Sequence, residues 1–266
     1  VFPPLSIKNN MMEKNQNFVN RILVKIYLKY FLNLFIKKRK TKRLDAHAGV
    51  SPKGCVVLSY IVWPFDQGMG VERMRGHTNA GEALVMAEVF MELGFRVEVC
   101  DWDDKKYSPP KDTRVVIDIH SNLERWGLPD GCIKVLHATG AHWLFQNRAE
   151  LQRLEALRIR KGIALSARRQ VEPSRGAELA NHITIIGNEF TEETFKFSGK
   201  PITRIPISSA YKFSWPKGRD FEKAKSKFLW VGSYGMVHKG LDLVLDAFAV
   251  MPELELTVCG RPEKEA

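Results

Sequence analysis

Gly232, Gly235 and Gly240 bracket Lys239 in the stretch 228–262, FLWVGSYGMVHKGLDLVLDAFAVMPELELTVCGRP. Leu241, Val244, Leu245 and Phe248 recur there at helical spacing, and Leu254, Leu256 and Val258 then alternate as a half-buried strand does. The spacing predicts strand, turn, helix and strand, with the lysine where the first strand hands over to the helix. A helix N-terminus offers free backbone N–H groups, and a nearby ammonium adds a full charge, so the turn suits a phosphate. An ordinary solvated lysine at a helix start is the plainer alternative.

Two histidines and a second glycine-bearing loop add candidates. His120 follows the apolar run Val115–Ile119, and His137 follows Ile133–Leu136 at the head of HATGAHW. An imidazole at a strand end can exchange protons near neutral pH, or can simply be hydrogen-bonded there. Gly68, Gly70 and Gly76 follow the run Cys55–Val62 and lead into His77, Thr78 and Asn79. Asn79 with Glu82 three residues on reads as an N-cap and its reciprocal partner, which explains Asn79 without a ligand. These glycines do not spell GxGxxG, so an oxidoreductase-type dinucleotide site has little support. Cys55, Cys100, Cys132 and Cys259 lie far apart with no CxxC pair and no zinc spacing, which predicts buried reduced thiols. Trp63 or Trp143 could stack on a sugar, and the arginines over 148–160 read as a solvated helix face.

Such residues need a scaffold, and from Gly54 onward apolar runs alternate with helical patterns. Cys55–Val62, Arg96–Cys100, Val115–Ile119, Ile133–Leu136, Ile183–Ile186 and Ile202–Pro206 read as strands. Ala80–Leu93, closed by Gly94, reads as a helix, as does a stretch near Gln146–Arg160 with Leu151, Leu154 and Leu157 inside and arginines outside. A short helix is expected near Glu192–Phe197. This alternation predicts an α/β fold, a mostly parallel sheet with helices on both faces. Such sheets bind ligands at the carboxyl ends of their strands, which selects 68–79, 120–122 and 137–142. The expected organisation is a basic arm over 1–52, a Rossmann-like domain over 53–209, a linker over 210–226 and the start of a second Rossmann-like domain over 227–266. That last piece is expected to be truncated, because a strand–helix–strand of about 40 residues is too small for its own core.

The net charge of +11 is unevenly spread. Residues 1–52 carry eleven lysines and arginines against Glu13 and Asp45 alone, which leaves the body near neutral. A nucleic-acid face should be basic on the folded body, so no nucleic-acid partner is expected. Phe18–Ile36 is apolar for about the length of a membrane span, yet it holds Arg21, Lys25 and Lys29. Each central cation costs ~3 kcal/mol on insertion, which argues against spanning. Spaced by four, the three form one stripe, as in a helix lying at an interface, and Lys37–Arg43 would attract anionic headgroups. Residues 18–43 thus predict a cytoplasmic protein held peripherally at an anionic inner membrane face. A helix packed on the body, or a natively unordered stretch, are the alternatives. A cleaved signal peptide is not expected, since basic residues interleave the apolar run and no A-x-A site follows.

The stretch VGSYGMVHKGLDLVLDAF, with Gly232 and Lys239-Gly240 ahead of a long helix, resembles retaining, nucleotide-sugar-dependent glycosyltransferases of the GT-B fold, family 4 or group 1. The resemblance spans about 54–262, and HATGAHW and IGNEF through RIPISS are similar to one branch of that family. It implies a GT-B-like pair of Rossmann-like domains and a hexosyltransferase type of enzyme active in glycan or cell-envelope polysaccharide synthesis. Lys239, with Gly232, Ser233 and Gly240, would meet the diphosphate of a nucleotide-sugar donor. His137 would be the catalytic residue, facing the cleft near the donor sugar and the acceptor hydroxyl. Gly68, Gly70, Gly76, His77, Thr78, Asn79 and His120 would line the side of a glycan or lipid-linked acceptor. No cofactor and no metal are implied: Asp101-Trp102-Asp103 spells DxD, but its place does not match a metal-dependent GT-A site. Two departures stand out. Ser233 occupies the place where the family usually has an arginine. The paired glutamates that hold the donor in that family would belong to the later part of the second domain, past Ala266. The second departure implies an alternative, a catalytically incomplete peripheral acceptor-binding module.

Overall fold

The computed structural model describes residues 41–47, 51–66, 77–209, 214–232 and 234–260. In chain order the elements are β1 (Thr41–Leu44), β2 (Cys55–Tyr60), α1 (Thr78–Glu92), β3 (Arg96–Asp101), β4 (Thr113–Asp118), α2 (Asn122–Arg125), β5 (Ile133–Ala138) and α3 (Trp143–Lys161). There follow α4 (Gly176–Leu179), β6 (His182–Ile186), α5 (Glu189–Glu193), β7 (Ile202–Ile205), α6 (Phe221–Ala224), β8 (Lys227–Val231), α7 (Leu241–Ala249) and β9 (Glu255–Cys259).

Seven strands form one sheet in the order β1-β3-β2-β4-β5-β6-β7, and β8 pairs with β9 in a separate two-stranded sheet. Every pair in the large sheet is parallel except β1 with β3. The fold is therefore α/β with a mostly parallel sheet, as a Rossmann-like domain has. All six residues of β2 are buried, because a central parallel strand is covered on both faces. Val56, Leu58, Val97 and Val99 pack toward Ala87 of α1 on one face. Val57, Val116, Leu136, Ile183 and Ile185 pack with Trp126 and Ala177 on the other. The chain leaves β2 for β3 on one side and returns to β4 on the other, so the strand order reverses between β2 and β4. In open α/β sheets, ligands bind outside the carboxyl ends near such a reversal.

The structure corrects the arm's boundary. Thr41–Leu44 is an antiparallel edge strand, with Thr41 opposite Cys100 and Leu44 opposite Val97. Lys42 and Arg43 disguised it, since an edge strand tolerates charge on its open side. Lys42 Nζ pairs with Asp66 at 2.8 Å, and Leu44 packs on the core. The expected amphipathic helix over 18–36 lies outside the described residues. Among those residues, no helix is long and apolar enough to cross a membrane.

Three local expectations also change. Helix α1 begins at Thr78 with His77 as N-cap, and no side chain caps it. Asn79 is inside the first turn, and Glu82 instead accepts hydrogen bonds from Tyr60 Oη (2.9 Å) and Ser208 Oγ (3.3 Å). Tertiary hydroxyl donors here outcompete the local capping pattern. On α3, Leu157 is buried but Leu151 is 55% exposed, because the inward face is set by Glu150 and Leu157. Two arginines of α3 expected to be solvated are engaged: Arg153 and Arg160 both pair with Asp242 of α7, as Lys161 pairs with Asp246, whereas Arg148 and Arg158 are exposed. Cys55, Cys100 and Cys132 are buried free thiols, as expected, whereas Cys259 on the short sheet is exposed.

The strand, turn, helix and strand expected over 228–262 are β8, α7 and β9. Gly240 precedes α7 with φ +80°, a left-handed value that a side chain would strain. Most side chains of β8 and β9 are exposed.

Candidate functional site

A cavity of about 330 Å³ opens at the carboxyl ends of β4 and β5. Trp102, His120, Gly140, His142, Trp143 and Arg169 are among the residues that line it. Leu136, Ala138 and Ala177 also line it, so it lies on the sheet face opposite α1.

The turn after β4 is fixed by a buried polar cluster. Asp118, the last residue of β4, is fully buried. Ser59 Oγ donates to its Oδ1 at 2.6 Å, and the backbone N–H groups of Asn122 and Leu123 donate to Oδ2 at 2.7 and 3.3 Å. Burial pushes the carboxyl pKa up, and these donors work against that push. Asn122 Nδ2 in turn donates to Trp102 O at 2.9 Å and Ser59 Oγ at 2.7 Å. Three strand ends are thereby tied together, and His120 rests on Trp102 with ring centroids 5.3 Å apart.

The end of β5 and the turn after it carry two buried imidazoles, His137 and His142, on different sides of the sheet. His137 shares a face with Thr184, whose Oγ1 lies 2.9 Å from its Nδ1, and with Tyr60, whose ring meets it edge-on at 5.8 Å. This is the α1 side of the sheet, and His137 is not among the residues that line the cavity. Burial lowers its pKa, with Glu82 opposing, and its Nε2 has no hydrogen-bond partner among the described residues. His142 is the N-cap of α3 and is 8% exposed. Its backbone N–H donates to Thr194 Oγ1 at 3.0 Å, and its ring meets Phe195 and Phe197 at 5.5 and 4.8 Å. Its Nε2 is also buried without a partner among the described residues, and burial lowers its pKa, with Glu178 opposing.

The segment 163–175, which forms no regular element, closes one side of the cavity with Arg169, Val171, Glu172 and Ser174. Glu150 holds it from α3. This carboxylate is 2% exposed and accepts from the backbone N–H of Arg168 (2.7 Å) and Arg169 (2.8 Å) and from Gln170 Nε2 (2.8 Å). Burial raises its pKa, but those donors prevail and hold it below the usual carboxylate range. Ser174 Oγ donates to His120 O at 2.6 Å, and Trp143 Nε1 donates to Ser174 O at 3.0 Å. The same segment reaches the glycine turn after β8. A Cβ placed on Gly235, whose φ is +78°, would lie 3.2 Å from Arg169 Cδ, and the Arg168 guanidinium sits 5.4 Å from the Tyr234 ring.

The sequence candidates thus divide into groups. His120 lines the cavity, and His137 lies behind it. Lys239 is exposed, forms no ion pair with a described residue, and donates its backbone N–H to Gly235 O at 3.0 Å. Gly232 lies under the Trp230 ring, which a Cβ there would strike at 2.2 Å, so packing alone explains this glycine. His77 is exposed with its ring 5.6 Å from Trp63, and neither it nor Thr78 nor Asn79 lines the cavity. Gly68, Gly70, Gly76 and Ser233 lie outside the described residues. Among the described residues, no three His, Cys, Asp or Glu side chains are grouped to hold a metal ion. Sequence reasoning missed Asp118, Glu150 and Arg169; it selected 137–142 by the strand-end rule but gave His142 no separate role. The one available signal was the aperiodic stretch between Gly162 and Gly176, longer than most connections and carrying Arg168-Arg169.

Comparison of the chain with protein-family models, with curated proteins and with solved structures finds no match.

Proposed function

We propose that this chain is a retaining, metal-independent glycosyltransferase of the GT-B kind, family 4 or group 1. It would move a sugar from a nucleotide-sugar donor to a hydroxyl of a glycan or lipid-linked acceptor. The observation that carries this reading is a shared segment. Residues 163–175 line a cavity at the strand ends and also pack on the glycine turn that holds Lys239. In such a transfer the bond from the anomeric carbon to the diphosphate oxygen breaks, the acceptor oxygen bonds to that carbon, and the acceptor proton departs. The diphosphate takes up negative charge as it leaves, and a cation beside a helix N-terminus lowers the cost of that charge. Turnover of a UDP- or GDP-sugar should fall about 10²-fold in Lys239→Ala. Unchanged turnover would remove Lys239 from the mechanism.

The exposed two-stranded β8–β9 sheet favours a second reading, in which the chain holds an acceptor without catalysing transfer. Specific heat on titrating a UDP- or GDP-sugar into the chain contradicts it.

A further inference from the structure

We propose that the cavity at the ends of β4 and β5 continues into an apolar seam on the surface, and that the two together hold an amphiphile. The polar head sits in the cavity and the hydrocarbon chain lies along the seam. The proposal rests on the glycosyl-transfer reading only for the ligand's role, which is then that of a lipid-linked acceptor. The seam runs between the start of α3 and the segment 189–198. Phe145 of α3 meets Phe190 of α5 edge-on, with ring centroids 5.1 Å apart. Three residues earlier, the His142 ring meets Phe195 and Phe197. Positions three apart are neighbours on a helix surface, so the two contacts belong to one strip. Phe190 and Phe197 are 61% and 58% exposed, and Phe145 is exposed as well. Two parts of the chain thus bring aromatic rings together without burying them. The inner end of the strip is the cavity wall itself, because His142 and Phe195 both line the cavity.

Size and charge select the occupant. At about 330 Å³ the cavity lies near the lower end of ligand-pocket sizes, so it takes a head group and leaves the rest of a larger ligand outside. Thr139, Gln146 and Glu172 line it beside Trp102, a mixture that suits a ring bearing hydroxyl groups. Along the seam, charges neutralise one another: Arg204 pairs with Glu189 and Glu192, and Lys196 pairs with Glu193. An anionic membrane or an acidic peptide would have to displace those acids. An uncharged hydrocarbon chain needs only the exposed rings, and it is continuous with a head in the cavity.

The test is calorimetric titration of the intact chain with methyl, hexyl and octyl β-glucoside, each kept below the concentration at which it forms micelles. Half-burial of two methylenes is a factor of about four, so octyl glucoside should bind about fourfold more tightly than hexyl glucoside. The double variant Phe190→Ser with Phe197→Ser should abolish that ratio. Both side chains are exposed, so the variant should keep the wild-type circular dichroism and melting midpoint. Trp102→Ser, on the cavity wall, should weaken hexyl and octyl glucoside by the same factor and leave their ratio alone. An offset from one end of the site and a change of slope from the other is a pattern that general loosening of the fold would not give. A wild-type octyl-to-hexyl ratio near one overturns the proposal, as does no binding of any glucoside or a ratio that survives in the double variant. So does a dimer in sedimentation that the double variant dissolves, which would assign the seam to a second copy of the chain. Pelleting with phosphatidylcholine vesicles that the double variant loses, without a chain-length ratio in the wild type, would assign it to a membrane and also overturns the site. If the ratio is absent while Lys239→Ala stops turnover of a nucleotide sugar, the amphiphile site fails and the transferase reading stands. If the ratio is present while Lys239→Ala leaves turnover intact, the reverse holds.

Discussion

His137 and His142 each keep Nε2 away from water and from any described hydrogen-bond partner, and burial holds both below the usual histidine pKa. In the unfolded chain both would titrate near ~6.5. Between that value and the lower folded one, the unfolded state binds protons that the fold does not, so stability falls as pH drops through about 6.5. The urea midpoint should therefore be lower at pH 5.5 than at pH 7.5, and the double variant His137→Gln with His142→Gln should flatten that difference. Comparing variant with wild type separates the imidazoles from Asp118, whose raised carboxyl pKa acts in the opposite sense. An unchanged slope would mean that the imidazoles find protons or partners in the fold. None of this was readable from residue type. His137 and His142 are five positions apart in HATGAHW, and only the pleat of β5 and the start of α3 send one behind the sheet and the other to the cavity.

At the scale of elements, α3 and α7 are fastened by charge. Asp242, at 16% exposure, receives both Arg153 and Arg160, which outweigh burial and hold its carboxyl below the usual range. Asp242→Ala should cost about 1–2 kcal/mol, mostly in the hold on β8, α7 and β9. Hydrogen exchange should rise over 227–259 in that variant while β2, β4 and β5 keep their protection; uniform loosening would show instead that the two sheets unfold as one. The strands of the large sheet were legible because buried parallel strands are written as apolar runs, as CVVLSY and HITII show. The α3–α7 contact was not. Arginines on a helix look solvated until the acids that meet them, 82 to 89 positions later, are placed in space. Capping at Asn79 failed for a related reason, since Tyr60 and Ser208 bring their hydroxyls to Glu82 from distant parts of the chain.

For the whole molecule, strand β1 redraws the division between arm and body. Deleting residues 1–40 should leave the large sheet's melting midpoint unchanged and abolish pelleting with phosphatidylglycerol vesicles, if the stretch 18–36 and its basic flank bind that surface. Deleting through Leu44 should also lower the midpoint, because it strips the edge of β3. Pelleting that survives loss of residues 1–40 would place membrane affinity elsewhere. The strand's direction has a geometric consequence. Running against its neighbour, β1 sets Thr41 beside Cys100, near the rim where β3 leads into Trp102. Residue 41 therefore joins the sheet at the carboxyl end of β3, the end at which the cavity opens. If residues 1–40 hold a surface, a substrate moored to that surface would search a small volume instead of the bulk, so tether length would govern how often it arrives.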